Sequence, residues 1–196
     1  MTIPSDQVFA YHIGIVVRSI EETGALYRDL LGVPEWHTWE VEREGLPTNP
    51  ATAGRRGGIR IAYGRAPGQT IELLQPTGGT TIWSEFLREH GEGIQHIGVW
   101  TPDLPGALAE AIGRGATITH GMLREGTASV QLSTSSAAQA LLPALDPDQL
   151  AYVTPTAGGV QIEYVGPGGP ERMRQMIGPE FDKVVTSPPW LSAARS

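Results

Sequence analysis

The chain has 196 residues, with 14 Lys+Arg against 21 Asp+Glu and a formal net charge of −7. That balance offers no basic stripe for a phosphate backbone and argues against a nucleic-acid partner. With no cysteine, disulfides and thiolate chemistry are excluded, and any transition metal must be held by His, Asp or Glu. The longest apolar runs are too short to cross a bilayer, and MTIPSDQVFAYH lacks the basic and apolar regions of a signal peptide. No membrane partner and a cytoplasmic location are therefore expected.

In chain order, YHIGIVV (11 to 17) reads as a strand. Ser19 and Glu22 have the spacing that satisfies the free amides of a helix start, and Leu26, Tyr27, Leu30 and Leu31 supply an apolar face before Gly32 and Pro34 stop the helix. EWHTWEVE (35 to 42), GIRIAYG (58 to 64) and QTIELLQP (69 to 76) then read as strands, so residues 10–76 form a βαβββ module. A linking segment, 77–93, carries a helix in TIWSEFLREHG with Trp83, Phe86 and Leu87 on one side.

QHIGVWT (95 to 101) repeats the opening strand. With His12 laid on His96, Gly14 falls on Gly98 and the cap Ser19 on Asp103, an offset of 84 (96 − 12). LPGALAEAIGRGATI gives a helix ended by glycine, and SVQLST (129 to 134), LAYVTP (150 to 155) and GVQIEYVGP (159 to 167) are the strand candidates of a second module, 94–167. At the module ends Glu72 falls on Glu163, an offset of 91 (163 − 72), so the second copy is longer by about seven residues. Residues 135–149 read as a loop insertion with a helical turn. Residues 168–196 form a Gly- and Pro-rich C-terminal extension with a short helix around ERMRQMI, expected to dock on its own chain or a partner.

The repeat isolates two equivalent pairs, His12 with Glu72 and His96 with Glu163. Each His sits in the first strand of a module and each Glu in the last, so one inward-facing register presents all four. Two imidazoles and two carboxylates suit one divalent ion among Zn, Ni, Co, Mn and Fe, and leave two octahedral positions for a substrate with adjacent oxygens. Taken singly, a strand His is most simply a hydrogen-bonded core residue and a strand Glu faces water; recurrence at equivalent places favours a metal site. His90 and His120, near predicted helix or loop ends, are expected at the surface.

The stretches HIGIVVRSIEETGALYRDLLG, IELLQP, FLREHGEGIQHIGV and GGVQIEYV resemble the vicinal oxygen chelate superfamily, which includes glyoxalase I, methylmalonyl-CoA epimerases, extradiol dioxygenases and bleomycin-resistance proteins. The likeness is greatest to the methylmalonyl-CoA epimerase group. It implies an α+β fold in which two paired βαβββ modules form a curved, mainly antiparallel, open barrel-like sheet around a metal. The implied ligands are His12, Glu72, His96 and Glu163, and the implied assembly is a homodimer.

The resemblance further implies an isomerase or lyase that moves a proton next to a carbonyl while the metal stabilises the enolate, on an acyl-CoA or another compound with neighbouring oxygens. Glu163 would act as one base. Where the epimerases carry a second catalytic glutamate this chain has Arg55, so Glu42 or Glu44 in EVEREG becomes the candidate, with Glu44 assigned. Arg55 and Arg56 suit a substrate carboxylate or a CoA phosphate. Trp36 and Trp39 lie on opposite sides of their strand, and Trp39 is assigned to the substrate cleft. Two other readings stand beside this one. In an iron oxygenase two His and one Glu would leave three positions open, and a binding protein of the bleomycin-resistance type would use the cleft without turnover.

Overall fold

Each module opens with an apolar strand that a polar cap converts into a helix. A computed structural model of the chain describes residues 8–44, 56–124, 129–130, 139–140 and 142–185. The first module runs β1 (Phe9–Val16), α1 (Ile20–Leu31), β2 (Trp36–Glu44), β3 (Arg56–Ala66) and β4 (Gln69–Gly78). The helix α2 (Ile82–His90) leads to the second: β5 (Gly93–Trp100), α3 (Leu104–Gly113), β6 (Thr117–Met122), β7 (Ser129–Val130), β8 (Leu150–Thr154) and β9 (Gln161–Val165). The chain then continues into α4 (Gly169–Ile177) and α5 (Phe181–Val184). Ser19 accepts from the Glu22 amide at the start of α1, and Asp103 accepts from the Gly106 amide at the start of α3, so both expected caps form. Gly32 closes α1 at φ 67°, the left-handed conformation that glycine adopts without strain.

The nine strands make one curved open sheet in the order β2-β3-β4-β1-β5-β9-β8-β6-β7. Within each module the first strand pairs parallel with the last, β1 with β4 and β5 with β9, and the remaining pairs are antiparallel. The modules join through β1 and β5, antiparallel at the centre. The α+β architecture of paired βαβββ units expected from the sequence is therefore the observed one. No helix among the described residues is long and apolar enough to cross a membrane.

Several local expectations need correction. The buried face of α1 is Ile20 and Gly24, whereas Leu26, Leu30 and Leu31 are exposed. The indole of Trp36 lies on the helix at Gly24: its Nε1 donates to the Gly24 carbonyl at 3.0 Å, and a Cβ at position 24 would meet the ring at 3.1 Å. Aromatic contact with a glycine thus outweighs the leucine stripe in orienting the helix. The second strand of the second module is Thr117–Met122, a strand absent from the candidates read from the sequence. The helix stops at Gly113 and the chain turns at Gly115, φ 88°. SVQLST contributes a two-residue edge ladder with β6, and its residues 131–134 lie outside the described ones. Within 135–149, Leu142–Ala144 form a 3₁₀ turn and Leu145 is buried against α3 and β6. His120 is buried, not a surface residue.

The C-terminal extension docks on its own chain. Met173, Phe181, Val184 and Val185 join Tyr11, Tyr63, Trp100 and Val165 in one buried cluster. This fastens α4 and α5 beside the central strands.

Candidate metal centre and cavity

The repeated His-Ile-Gly is explained by the β1–β5 pairing. His12 sits opposite Gly98 and Gly14 opposite His96, so each module's glycine faces the other module's histidine. A Cβ at Gly14 would come within 2.1 Å of the His96 ring, and one at Gly98 within 2.2 Å of the His12 ring. Each glycine is a socket for the imidazole across the module junction, and both rings are fully buried. In the socketed orientation the two Nε2 atoms face each other at 2.7 Å.

The parallel pairings β1–β4 and β5–β9 bring the carboxylates alongside. Glu72 Oε2 lies 3.2 Å from His12 Nε2 and 3.1 Å from His96 Nε2, while Glu163 Oε2 lies 3.4 and 3.7 Å from the same two atoms. Donors bound about 2.1 Å from one ion, at tetrahedral to octahedral angles, sit roughly 3.0–3.4 Å apart. The observed 2.7–3.7 Å brackets that range. His12, Glu72 and His96 form a buried group that could hold a metal ion, and Glu163 stands at its outer side.

The surrounding groups are asymmetric. His96 Nδ1 meets Gln95 Oε1 at 2.6 Å, which places the proton on Nδ1 and leaves the Nε2 lone pair toward the centre. Gln95 is in turn held by Gln161, at 2.6 Å. His12 Nδ1 is buried with no hydrogen-bond partner among the described residues. Edge-on rings pack against both imidazoles, Tyr63 against His12 at 5.6 Å and Tyr152 against His96 at 5.3 Å. Tyr63 pairs directly with Glu72 across β3 and β4, and Tyr152 with Glu163 across β8 and β9.

The electrostatics follow from burying two carboxylates among these rings. Burial opposes the charge on Glu72, but attraction and hydrogen bonding from His12 and His96 prevail and hold it below its ordinary value. Burial likewise opposes charge on His96, and the hydrogen bond to Glu72 with the charges of Glu163 and Glu72 raises it above its ordinary value. Tyr11, Tyr63 and Tyr152 are all pushed well up, first by burial and then by the two carboxylates. A dication at the centre would neutralise the two negative charges without protonating either histidine.

Beside this centre lies a cavity of about 170 Å³. Glu72 and Glu163 are part of its wall, and the rest is mostly apolar, including Trp39, Ile61, Leu74, Trp83 and Val165, with Arg172 and Met173 contributed by α4. Trp39, assigned to the cleft from sequence, stacks on Tyr63 at 5.4 Å and does line it. Glu44 and Arg56 are not brought to the centre along the backbone. They pair with each other at the far end of the β2–β3 hairpin, seven residues from Tyr63, or about 23 Å of strand at ~3.3 Å per residue. Arg55 lies outside the described residues. Sequence reasoning did not single out Tyr11, Tyr152, Gln95 or Arg172. The one available signal was the Ala-Tyr pair repeated in the next-to-last strand of each module, Ala62-Tyr63 in β3 and Ala151-Tyr152 in β8.

The paired modules and their central histidine–carboxylate group define a glyoxalase-like protein. A family model for the Glyoxalase/Bleomycin resistance protein/Dioxygenase superfamily matches residues 11–133, and the chain belongs to that superfamily. Among curated proteins, the uncharacterized protein YqjC of Bacillus subtilis (strain 168) is 28% identical over 86 residues, 44% of this chain. The chain spans about half, 52%, of that relative's length. Among solved structures, methylmalonyl-CoA epimerase from Mycobacterium tuberculosis aligns at TM-score 0.50 and 25% identity, covering 85% of this chain and 93% of that one. Hypothetical protein BH1468 from Bacillus halodurans C-125 aligns at TM-score 0.50 and 23% identity, covering 80% and 92%. A variant of Streptomyces coelicolor methylmalonyl-CoA epimerase in complex with 2-nitronate-propionyl-CoA aligns at TM-score 0.50 and 21% identity, covering 82% and 95%. The last two are likenesses of fold.

Proposed function

We propose that the chain is a divalent-metal-dependent isomerase or lyase that moves a proton next to a carbonyl, with His12, Glu72, His96 and Glu163 as ligands. The observation that carries this is the convergence of two buried carboxylates on one buried imidazole pair, with Nε2–Nε2 and Nε2–Oε2 distances of 2.7–3.7 Å, beside an apolar cavity. When bound, a Zn, Ni, Co, Mn or Fe ion supplies a Lewis acid for the substrate oxygen on which negative charge builds. Glu163 is the base in this reading. Its carboxylate is the more distant of the two from the imidazole pair and lines the cavity, which supports a base role, while with Glu72 and the two histidines it would also hold the ion. Tyr152 is the cross-strand partner of Glu163, and the Glu163 charge acts on the Tyr11 and Tyr152 hydroxyls, so both rings stand beside that carboxylate. The apolar wall limits water near the abstracted proton.

The substrate is a small molecule with adjacent oxygens or an acyl-CoA, the latter supported by the likeness to the M. tuberculosis epimerase. We further propose a cytoplasmic homodimer, for which exposed Leu26, Leu30 and Leu31 on α1 offer apolar surface.

The test is elemental analysis of the purified full chain with His12→Ala and Glu163→Gln variants, followed by deuterium exchange at the carbon next to the carbonyl. Close to one metal per chain, lost in His12→Ala, and metal-dependent exchange lost in Glu163→Gln are expected. A parent protein that binds none of the five metals after reconstitution would falsify the reading. A second reading follows from the tighter grouping of His12, Glu72 and His96 alone, a two-histidine, one-carboxylate set suited to iron and dioxygen. Oxygen consumption by the Fe(II)-loaded protein with a catechol, in place of proton exchange, would favour it.

A further inference from the structure

We propose that the cavity is built for a compact carboxylate with an apolar body, its anion read by Arg172 of α4, and not for a nucleotide-bearing thioester. This rests on the metal-site reading above and narrows its substrate class.

The charge inventory of the wall comes first. Glu72 and Glu163 lie at the metal end, and Arg172 is the one cation among the described lining residues. Its guanidinium is half-buried and makes no ion pair within 4.0 Å among the described residues. Asp146, Asp148 and Glu163 act on it only through space. A partly desolvated guanidinium lacking a carboxylate partner is costly, and an anion entering the cavity would offset that cost. A carboxylate is the planar two-oxygen group that the guanidinium fork fits.

The helix carrying Arg172 is fixed in place. Met173 is buried beside it, and Phe181 and Val184 anchor the following turn against Tyr11 and Trp100. At Gly169 the backbone is pressed so close to the sheet that a Cβ would lie 2.1 Å from Val165 and 2.6 Å from Trp100. At Gly168 a Cβ would lie 2.9 Å from Arg172 Nη1, so the guanidinium rests over bare backbone. Arg172 therefore stands in the cavity wall on a rigid support, outside both repeats.

Size and polarity complete the case. At about 170 Å³ the space falls below the roughly 300–1,000 Å³ common for drug-sized ligands. Apart from Arg172 and the two carboxylates the lining is chiefly aromatic and aliphatic. A coenzyme tail would have to lie outside the cavity with its phosphates against a chain of net charge −7. An apolar acid satisfies Arg172 and the wall together.

The experiment titrates the zinc-loaded full chain with 3-phenylpropionate, 3-phenylpropionamide and propionyl-CoA, read by fluorescence of Trp39 and Trp83 in the cavity wall and by calorimetry. The carboxylate is expected to bind at least tenfold more tightly than the amide. Arg172→Met should abolish that preference with metal content and melting temperature unchanged, and Arg172→Lys should restore part of it. Equal affinity for acid and amide, or a preference that survives Arg172→Met, overturns the inference. So does α-proton exchange on propionyl-CoA that Arg172→Met leaves unaltered, an outcome that keeps the metal-site reading intact. Loss of the metal-site reading through failed metal loading is separable, because the Arg172-dependent preference is still measured on the metal-free chain.

Discussion

The two modules place the same donors at the centre and surround them differently. Each contributes a histidine from its first strand, a glutamate from its last, a tyrosine paired with that glutamate, and a glycine that receives the other module's imidazole. Outside this set the correspondence ends. The residue before His96 is Gln95, whose side-chain carbonyl meets Nδ1, whereas the residue before His12 is Tyr11, which stacks on Trp100 at 3.8 Å. At Nδ1, one imidazole is fixed by a hydrogen bond and the other has no partner among the described residues. The repeat thus preserves what a shared ion would need from both sides, and leaves each module free to position its ligand in its own way.

The largest effects should come from filling the sockets. Gly14→Ala and Gly98→Ala each place a methyl group inside a histidine ring's space, and overpacking of this kind costs about 1–3 kcal/mol. If the centre holds a metal as proposed, most of it should be lost as well, since the displaced ring would carry a ligand. Gly14→Ala is expected to be the worse of the two, because it pushes on His96, which Gln95 prevents from shifting, while His12 has no such anchor. Thermal denaturation with metal analysis ranks them. Full metal occupancy in both variants would remove the socket explanation of the repeated motif.

Next in size is the outer contact unique to the second module. Gln95→Ala should weaken metal binding by about 10–100-fold, the usual effect of losing a partner that orients a ligating imidazole. Gln95→Glu, which keeps an acceptor, should recover part of it. Tyr11→Phe at the corresponding place removes no contact to His12 Nδ1 and should change the affinity less. Chelator competition distinguishes these cases, and equal losses at positions 11 and 95 would mean that the asymmetry has no energetic content.

The metal-free centre should respond reversibly to pH. His96 is raised above its ordinary value of 6.5, so its stabilisation of the folded state is complete below that pH and is lost as pH rises through the raised value. Glu72 is lowered from 4.5, so its contribution is complete above that pH and is lost as pH falls through the lowered value. Chelator-treated protein should therefore melt highest between about pH 4.5 and 6.5, with added metal flattening the alkaline side. A melting curve of the metal-free chain that keeps rising from pH 6 to 8 would contradict this balance.

What could be read in advance divides along physical lines. His12, Glu72, His96 and Glu163 were legible because a shared centre imposes the same residue type at equivalent points, and the repeat makes that visible. Both helix caps were legible because Ser19 and Asp103 act within a few residues of chain. Tyr63 and Tyr152 were not, since their role arises from cross-strand register with Glu72 and Glu163, which single-strand alternation does not supply. Arg172 depends on where a non-repeated helix docks. β6 was hidden because Thr117, Ile118 and Thr119 follow directly on a helix whose end at Gly113 must be known before they read as a strand.

The smallest effect tests the feature that periodicity misread. The helix α3 turns Leu104, Leu108 and Ile112 inward, whereas α1 turns Leu26, Leu30 and Leu31 outward and packs through Ile20 and Gly24. Leu30 is 69% exposed, so Leu30→Ala should change stability by no more than ~0.5 kcal/mol, as for surface positions generally. Alanine also removes no helix propensity at that position, which leaves burial as the only term with which the substitution can act. A loss above about 1 kcal/mol in denaturant unfolding, growing as protein concentration rises, would show that this face is covered in solution. The stripe would then be a contact between two copies of the chain, and the difference between the module helices would lie in what each one buries.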